Sequence, residues 1–61
     1  MKELFENHLT IYSSWRNEMK KTISVALFDK HGAFIKELKI LPYEHIIVPP
    51  YTTLKLISFI E

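Results

Sequence analysis

With no cysteine to staple it, a chain of 61 residues must hold together by packing alone or borrow surface from a partner. At this size a chain buries only about 60% of the surface its unfolded form exposes. Below roughly 70–80 residues a single core is marginal without a disulfide, a metal or a second subunit. Disulfides are impossible here. His8, His31 and His45 are scattered, so no metal-ligand spacing appears and no cofactor is implied. Hydrophobic residues make up 48% of the chain, ample for the length, so self-association is the expected staple. The whole chain, 1–61, reads as a single small domain.

Charge narrows the partners. Eight Lys+Arg against seven Asp+Glu leave a net +1, too little to attract nucleic acid at long range, although a local basic face remains open. No apolar run approaches the ~20 residues of a membrane-spanning helix. No signal-peptide pattern is visible, and the lack of cysteine is compatible with the cytoplasm, so a soluble cytoplasmic protein is expected.

The hydrophobic period changes once, near Lys20-Lys21-Thr22, and no internal repeat is visible. In residues 2–20, Leu4, Phe5, His8, Leu9, Ile11, Tyr12, Trp15 and Met19 fall on one arc at helical spacing. Glu3 and Glu6 near the start, and Arg16, Lys20 and Lys21 near the end, complement a helix dipole. The spacing predicts an amphipathic helix. The alternative is a strand from Leu9 to Trp15, because Thr10-Ile11-Tyr12-Ser13-Ser14 has poor helix propensity.

From Thr22 the period is two. Ile23, Val25 and Leu27 alternate with Ser24, Ala26 and Phe28. Asp29-Lys30-His31-Gly32 is a turn, with the sole glycine where a positive φ is needed. A second strand follows from Phe34 to Ile40, with Lys36, Glu37 and Lys39 as a solvated face. Pro42-Tyr43-Glu44-His45 breaks the chain, and Ile46-Ile47-Val48 forms a short strand covered on both faces. Pro49-Pro50 stops it. Thr52 to Ile60 is the last strand, apolar on both faces and lying at an open edge. Pairing with a neighbouring subunit would cover that edge. Ile46, Val48, Leu54, Leu56 and Phe59 are the candidate oligomer interface.

Catalytic patterns are absent. There is no cysteine nucleophile and no Gly-x-Ser-x-Gly elbow, and one glycine cannot build a phosphate-cradling loop. A non-catalytic protein is expected. His8 reads as a packed boundary residue and His31 as a turn residue. Trp15 reads as core. Tyr43 and Tyr51 are candidate stacking residues for bases. Arg16, Lys20 and Lys21 form the main basic cluster, either complementing the helix dipole or touching phosphates.

One helix followed by a meander of short strands resembles the Sm-like RNA-binding proteins, especially the bacterial Hfq branch. Thr22-Ile23-Ser24-Val25-Ala26-Leu27-Phe28 with its His31-Gly32 turn looks like that family's first strand and turn. Pro42-Tyr43-Glu44-His45-Ile46-Ile47-Val48 resembles its second-to-third strand region. Leu54-Lys55-Leu56-Ile57-Ser58-Phe59-Ile60 resembles its final strands, the Ile-Ser pair included. The likeness runs over residues 9–61. It implies an α+β fold: a helix over 2–20 and a strongly bent antiparallel sheet over 22–60, closed as an SH3-type barrel within a homo-oligomeric ring. An all-β fold is the alternative if 9–16 is a strand. The resemblance further implies single-stranded RNA bound by Tyr43, His45 and Lys55 on an inner surface and by Arg16, Lys20 and Lys21 at a rim. The family's strand-bending glycine is missing, Lys36-Glu37-Leu38 standing in its place, and only one basic residue of the pore's Lys-His pair is matched. The rival reading is a protein-interaction module, an inhibitor or assembly component of phage type, docking a partner through an exposed edge strand.

Overall fold

A computed structural model describes residues 1–60; Glu61, the last residue of the expected domain and of the resembling segment, lies outside the described residues. Six strands follow in order: β1 (Lys2–Asn7), β2 (Ser13–Arg16), β3 (Ile23–Phe28), β4 (Phe34–Ile40), β5 (His45–Val48) and β6 (Thr52–Phe59). They form a four-stranded antiparallel sheet in the order β1-β6-β3-β4 and a two-stranded sheet of β2 and β5. The described residues contain no helix. The expected N-terminal helix, and with it the α+β Sm-like arrangement of helix and bent barrel, is therefore corrected to an all-β sandwich.

The chain is one long hairpin, folded twice. β3 pairs with β4 around the Asp29–Gly32 tip, β2 with β5 further out, and β1 with β6 at the ends. The two arms leave the large sheet together to form the small one and then return. Pairing of β3 with β6 closes the large sheet.

The helical stripe is misleading for two reasons. A bulge between Glu3 and Phe5 makes Leu4 an extra residue in β1, so both Leu4 and Phe5 pack against the core. Two adjacent inward residues imitate the i, i+1 corner of a helical arc. The four-residue β2 sends only Ser13 and Trp15 inward, opposite Val48 and Ile46. Four residues are too few to display a period of two. Leu9, Ile11, Tyr12 and His8, assigned to a packed stripe, are exposed.

Downstream of Thr22 the strands fall where the alternation places them. Ile23, Val25 and Leu27 of β3, Ile40 of β4 and Leu54 of β6 point to the small sheet, where Val48 meets them. Trp15, Ile46, Leu38 and Leu56 pack around this cluster. β3 is buried along nearly its whole length, its outer face included; Ser24 donates a 2.6 Å hydrogen bond to Glu37 Oε2 there.

Two further expectations are corrected. β6 is not an edge strand over its first half: it lies between β1 and β3, and Thr53–Leu56 pair with both, while Ser58 and Phe59 pair with β3 alone. Val48 and Leu54 are fully buried in this chain's own core, and Ile46 and Leu56 pack against it; of the five interface candidates only Phe59 stands exposed. Nor is β5 covered on both faces, since Ile47 is 64% exposed.

The corners of the folded hairpin share one construction. At the end of β1, Asn7 Nδ2 donates to the carbonyls of Ile11 (2.9 Å), Val48 (3.1 Å) and Pro49 (3.0 Å), while its Oδ1 accepts from the Leu9 N–H (2.9 Å). Just after β2, Asn17 Nδ2 donates to Lys21 (2.9 Å), Ile40 (3.2 Å) and Leu41 (3.1 Å), and its Oδ1 accepts from the Met19 N–H (3.0 Å). The opposite arm turns at Pro42-Tyr43 and at Pro50-Tyr51, with both tyrosines at positive φ (61° and 54°). Each asparagine closes a local turn with its oxygen and ties the two arms together with its amide. This recurrence is one of corner geometry, carried by two Asn and two Pro-Tyr pairs.

The tip is built as expected around Gly32, at φ 79°. Asp29 Oδ1 accepts from the N–H groups of Ala33 (2.9 Å) and His31 (2.8 Å), and these two bonds hold its carboxyl below the ordinary aspartate range. A depressed folded-state pKa contributes stability above the unfolded value of about 4, and that contribution is lost as pH falls through the folded value. Asp29→Asn removes the charge and this dependence. Denaturation midpoints of wild type and variant should therefore converge on acidification from about pH 6 to about pH 2; a gap that stays constant would show that the charge plays no part.

Candidate docking edge

β4 ends the large sheet and β5 belongs to a sheet of two strands, so each has one side with no strand paired to it among the described residues. The two sheets part along this line. Between them opens a cleft of about 260 Å³, lined by Leu27, Lys36, Leu38, Ile46, Val48 and Leu54, with Ile47 and Pro49 at its margin. All of the residues lining it but one are apolar, and Lys36 is the single charged one. Sequence and topology explain its position. β4 supplies both an inward row, Leu38 and Ile40, and an exposed charged row, Glu37 and Lys39. β5 is too short to cover the inward row completely.

The β4 edge is regular only in part. A bulge at Ile35 interrupts its pairing with β3, and Leu41-Pro42 turns the chain away. Lys36–Ile40 remains as a straight five-residue edge. Phe34 and Ile35 beside it are 60% and 46% exposed, the Phe34 ring meeting Phe28 edge-on at 6.0 Å.

The six residues expected to touch RNA divide between separate places. Arg16, Tyr43 and His45 come together: Arg16 lies opposite His45 across β2 and β5, donates from Nε to the Tyr43 carbonyl (3.2 Å), and sets its guanidinium 5.3 Å from the centre of the Tyr43 ring. Glu18 approaches Arg16 at 3.9 Å. Lys55 lies instead on the outer face of the large sheet, 5.1 Å over the Phe28 ring. Lys21 sits 5.5 Å over Phe59, and Lys20 is exposed in the connection between β2 and β3. Arg16, expected at the rim, thus lies with Tyr43 and His45, while Lys55 lies over Phe28.

A second cleft, of about 210 Å³, lies beside the β3–β4 tip. Glu6, His8, Asp29, Lys30 and Lys55 bring both signs of charge to it, and Lys30 stands 5.8 Å over the Tyr51 ring. No group of three or more His, Asp or Glu side chains gathers as a metal would need, among the described residues. No helix of the described residues is long and apolar enough to cross a membrane.

Of the edge residues expected to form a solvated strand face, Glu37 and Lys39 stand exposed, while Leu38 packs inward against the core and Lys36 lines the cleft. That they lie at the margin of a sheet, over an apolar cleft, was not legible in sequence, because the neighbour that is missing there cannot be read from the strand itself. Compared with protein-family models, curated proteins and solved structures, the chain finds no match in any of the three.

Proposed function

We propose that this protein is a small non-catalytic interaction module that docks a protein partner along the β4–β5 edge. One observation carries the reading: two strand edges without neighbours flank an apolar cleft whose walls include Leu38, Ile46 and Leu54. An extended segment laid along such an edge gains main-chain hydrogen bonds, and its alternate side chains enter the cleft. The near-neutral charge fits a protein partner better than a polyanion.

A second reading rests on the Arg16–Tyr43–His45 cluster, where a guanidinium, a phenol ring and an imidazole share one surface. A single-stranded RNA base could stack there and a phosphate could meet Arg16.

The two readings part on substitutions at exposed positions that leave the core alone. Ile47→Asp puts a charge at the cleft margin, and Arg16→Ala removes the guanidinium. Immobilised wild type should retain a stoichiometric protein that Ile47→Asp loses by about tenfold or more, the effect of one anchor residue at an interface, and that Arg16→Ala keeps. Equal retention by Ile47→Asp would sink the docking edge. Salt-dependent retention of RNA that vanishes with Arg16→Ala would establish the second reading instead.

A further inference from the structure

We infer that the β4 half of this edge is taken by a second copy of the same chain, paired antiparallel about a two-fold axis through Leu38. The inference rests on reading the β4–β5 line as a docking edge and names its partner. Its argument is one of register. A two-fold axis perpendicular to the sheet keeps the apolar face continuous across both copies, and it must lie between the two strands where one residue stands opposite its own copy; that residue labels the axis. The regular edge, Lys36–Ile40, offers few choices. An axis through Lys36, Glu37 or Lys39 sets that charged residue against its own copy, and like charges directly opposite one another are destabilising; an axis at Ile40 runs the pairing into the Leu41-Pro42 turn, where Pro42 has no N–H to give. An axis through Leu38 sets Leu38 against Leu38 and Glu37 against Lys39, the latter pair formed twice by symmetry.

The two ends of the edge agree with this choice. The bulge at Ile35 and the turn at Leu41-Pro42 stop regular pairing at nearly equal distances from Leu38. Lys36, the inward neighbour, falls opposite Ile40 of the second copy, and its aliphatic stem can lie along the cleft lip while the ammonium reaches water. Pairing so joins two four-stranded sheets into one of eight strands. The two clefts then face each other as one apolar trough over the β4 strands, flanked by Ile47 from each side.

Sedimentation of the purified full chain tests the inference by charge reversal. Wild type should be a dimer. Lys39→Glu, which sets two acids opposite each other twice, should weaken it by about tenfold or more. Glu37→Lys should do the same with two bases. An equimolar mixture of the two variants should form a heterodimer, and Glu37→Lys/Lys39→Glu in one chain should restore the homodimer. Leu38→Cys gives the chain its sole cysteine, which on the two-fold axis should oxidise to a disulfide-linked dimer; this reading does not depend on how Glu37→Lys folds without its bond to Ser24. A monomeric wild type, or a dimer indifferent to both reversals, overturns the inference. Should the wild type be monomeric while Ile47→Asp still abolishes partner capture, self-pairing alone falls. A dimer that obeys the charge pattern while Ile47→Asp changes nothing leaves self-pairing standing and removes the wider docking reading.

Discussion

Asn17→Ala is expected to cost about 2–4 kcal/mol and to leave the chain largely unfolded at modest denaturant concentration, because a buried hydrogen-bonding group left without its partner costs about 1–3 kcal/mol and several are orphaned at once. Asn17 is 1% exposed. Its amide serves the carbonyls of Ile40 and Leu41, 23 and 24 residues away in sequence, as well as that of Lys21. A methyl group in its place leaves those acceptors facing the interior and frees the Met19 N–H. A chain of this length has a total stability on the order of 3–9 kcal/mol, so one corner represents a large fraction of it. Asn7→Ala should behave alike, since Asn7 is 2% exposed and makes the corresponding four bonds. Asn17→Asp separates donor from shape. It keeps the oxygen for Met19 but points a carboxylate oxygen at carbonyls that need a donor. Its deficit at neutral pH should match or exceed that of alanine and should shrink on acidification, as the carboxyl gains a proton it can donate. Urea unfolding at two pH values would show this. A deficit independent of pH would mean that the corner tolerates rearrangement.

Leu54→Ala should cost about 2–5 kcal/mol, the range found where a buried leucine leaves a cavity that its surroundings do not refill. Leu54 is fully buried and lies opposite Phe5 of β1 and Leu27 of β3, so it joins three of the four strands of the large sheet. It also floors the cleft between β4 and β5. Removing it deepens that cleft rather than creating a sealed void, so water can enter part of the space and the cost should sit in the lower half of the range. Ile47→Ala, at the cleft margin and mostly exposed, should change stability by no more than about 0.5 kcal/mol. Thermal or urea unfolding of the two variants side by side gives the comparison. Equal effects would mean that the core does not centre on β6.

Both predictions turn on residues that the sequence displays plainly while concealing their work. Leu54 reads at once as an inward residue of a strand, yet that strand also reads as an edge, because it is the last in order. Asn7 and Asn17 interrupt what otherwise passes for an amphipathic helix. Their side chains offer the backbone turns that compete with helix formation, and Thr10, Ile11 and Tyr12 between them add little helix propensity. The bulge at Leu4 hides the alternation of β1, and β2 is too short to have one. The proposed docking edge was half legible: Glu37 and Lys39 read as an exposed strand face, while the inward place of Leu38 and the lack of a neighbouring strand are properties of the whole sheet.

The sequence by itself determined the tip and its two flanking strands, the breaks at Pro42 and Pro49-Pro50, and the alternation that makes Ile23, Val25, Leu27 and Leu54 the core. Those features rest on local chemistry, on a glycine that accepts positive φ, prolines that cannot continue a ladder, and a period of two against one buried face. Only the tertiary structure decided that the N-terminal third is strand, that β6 lies inside the sheet, and that β4 is left at its margin. The reason is distance along the chain: the carbonyls that give Asn7 and Asn17 their meaning are 23 to 42 residues away, and an amide finds them only once the long hairpin has folded back on itself.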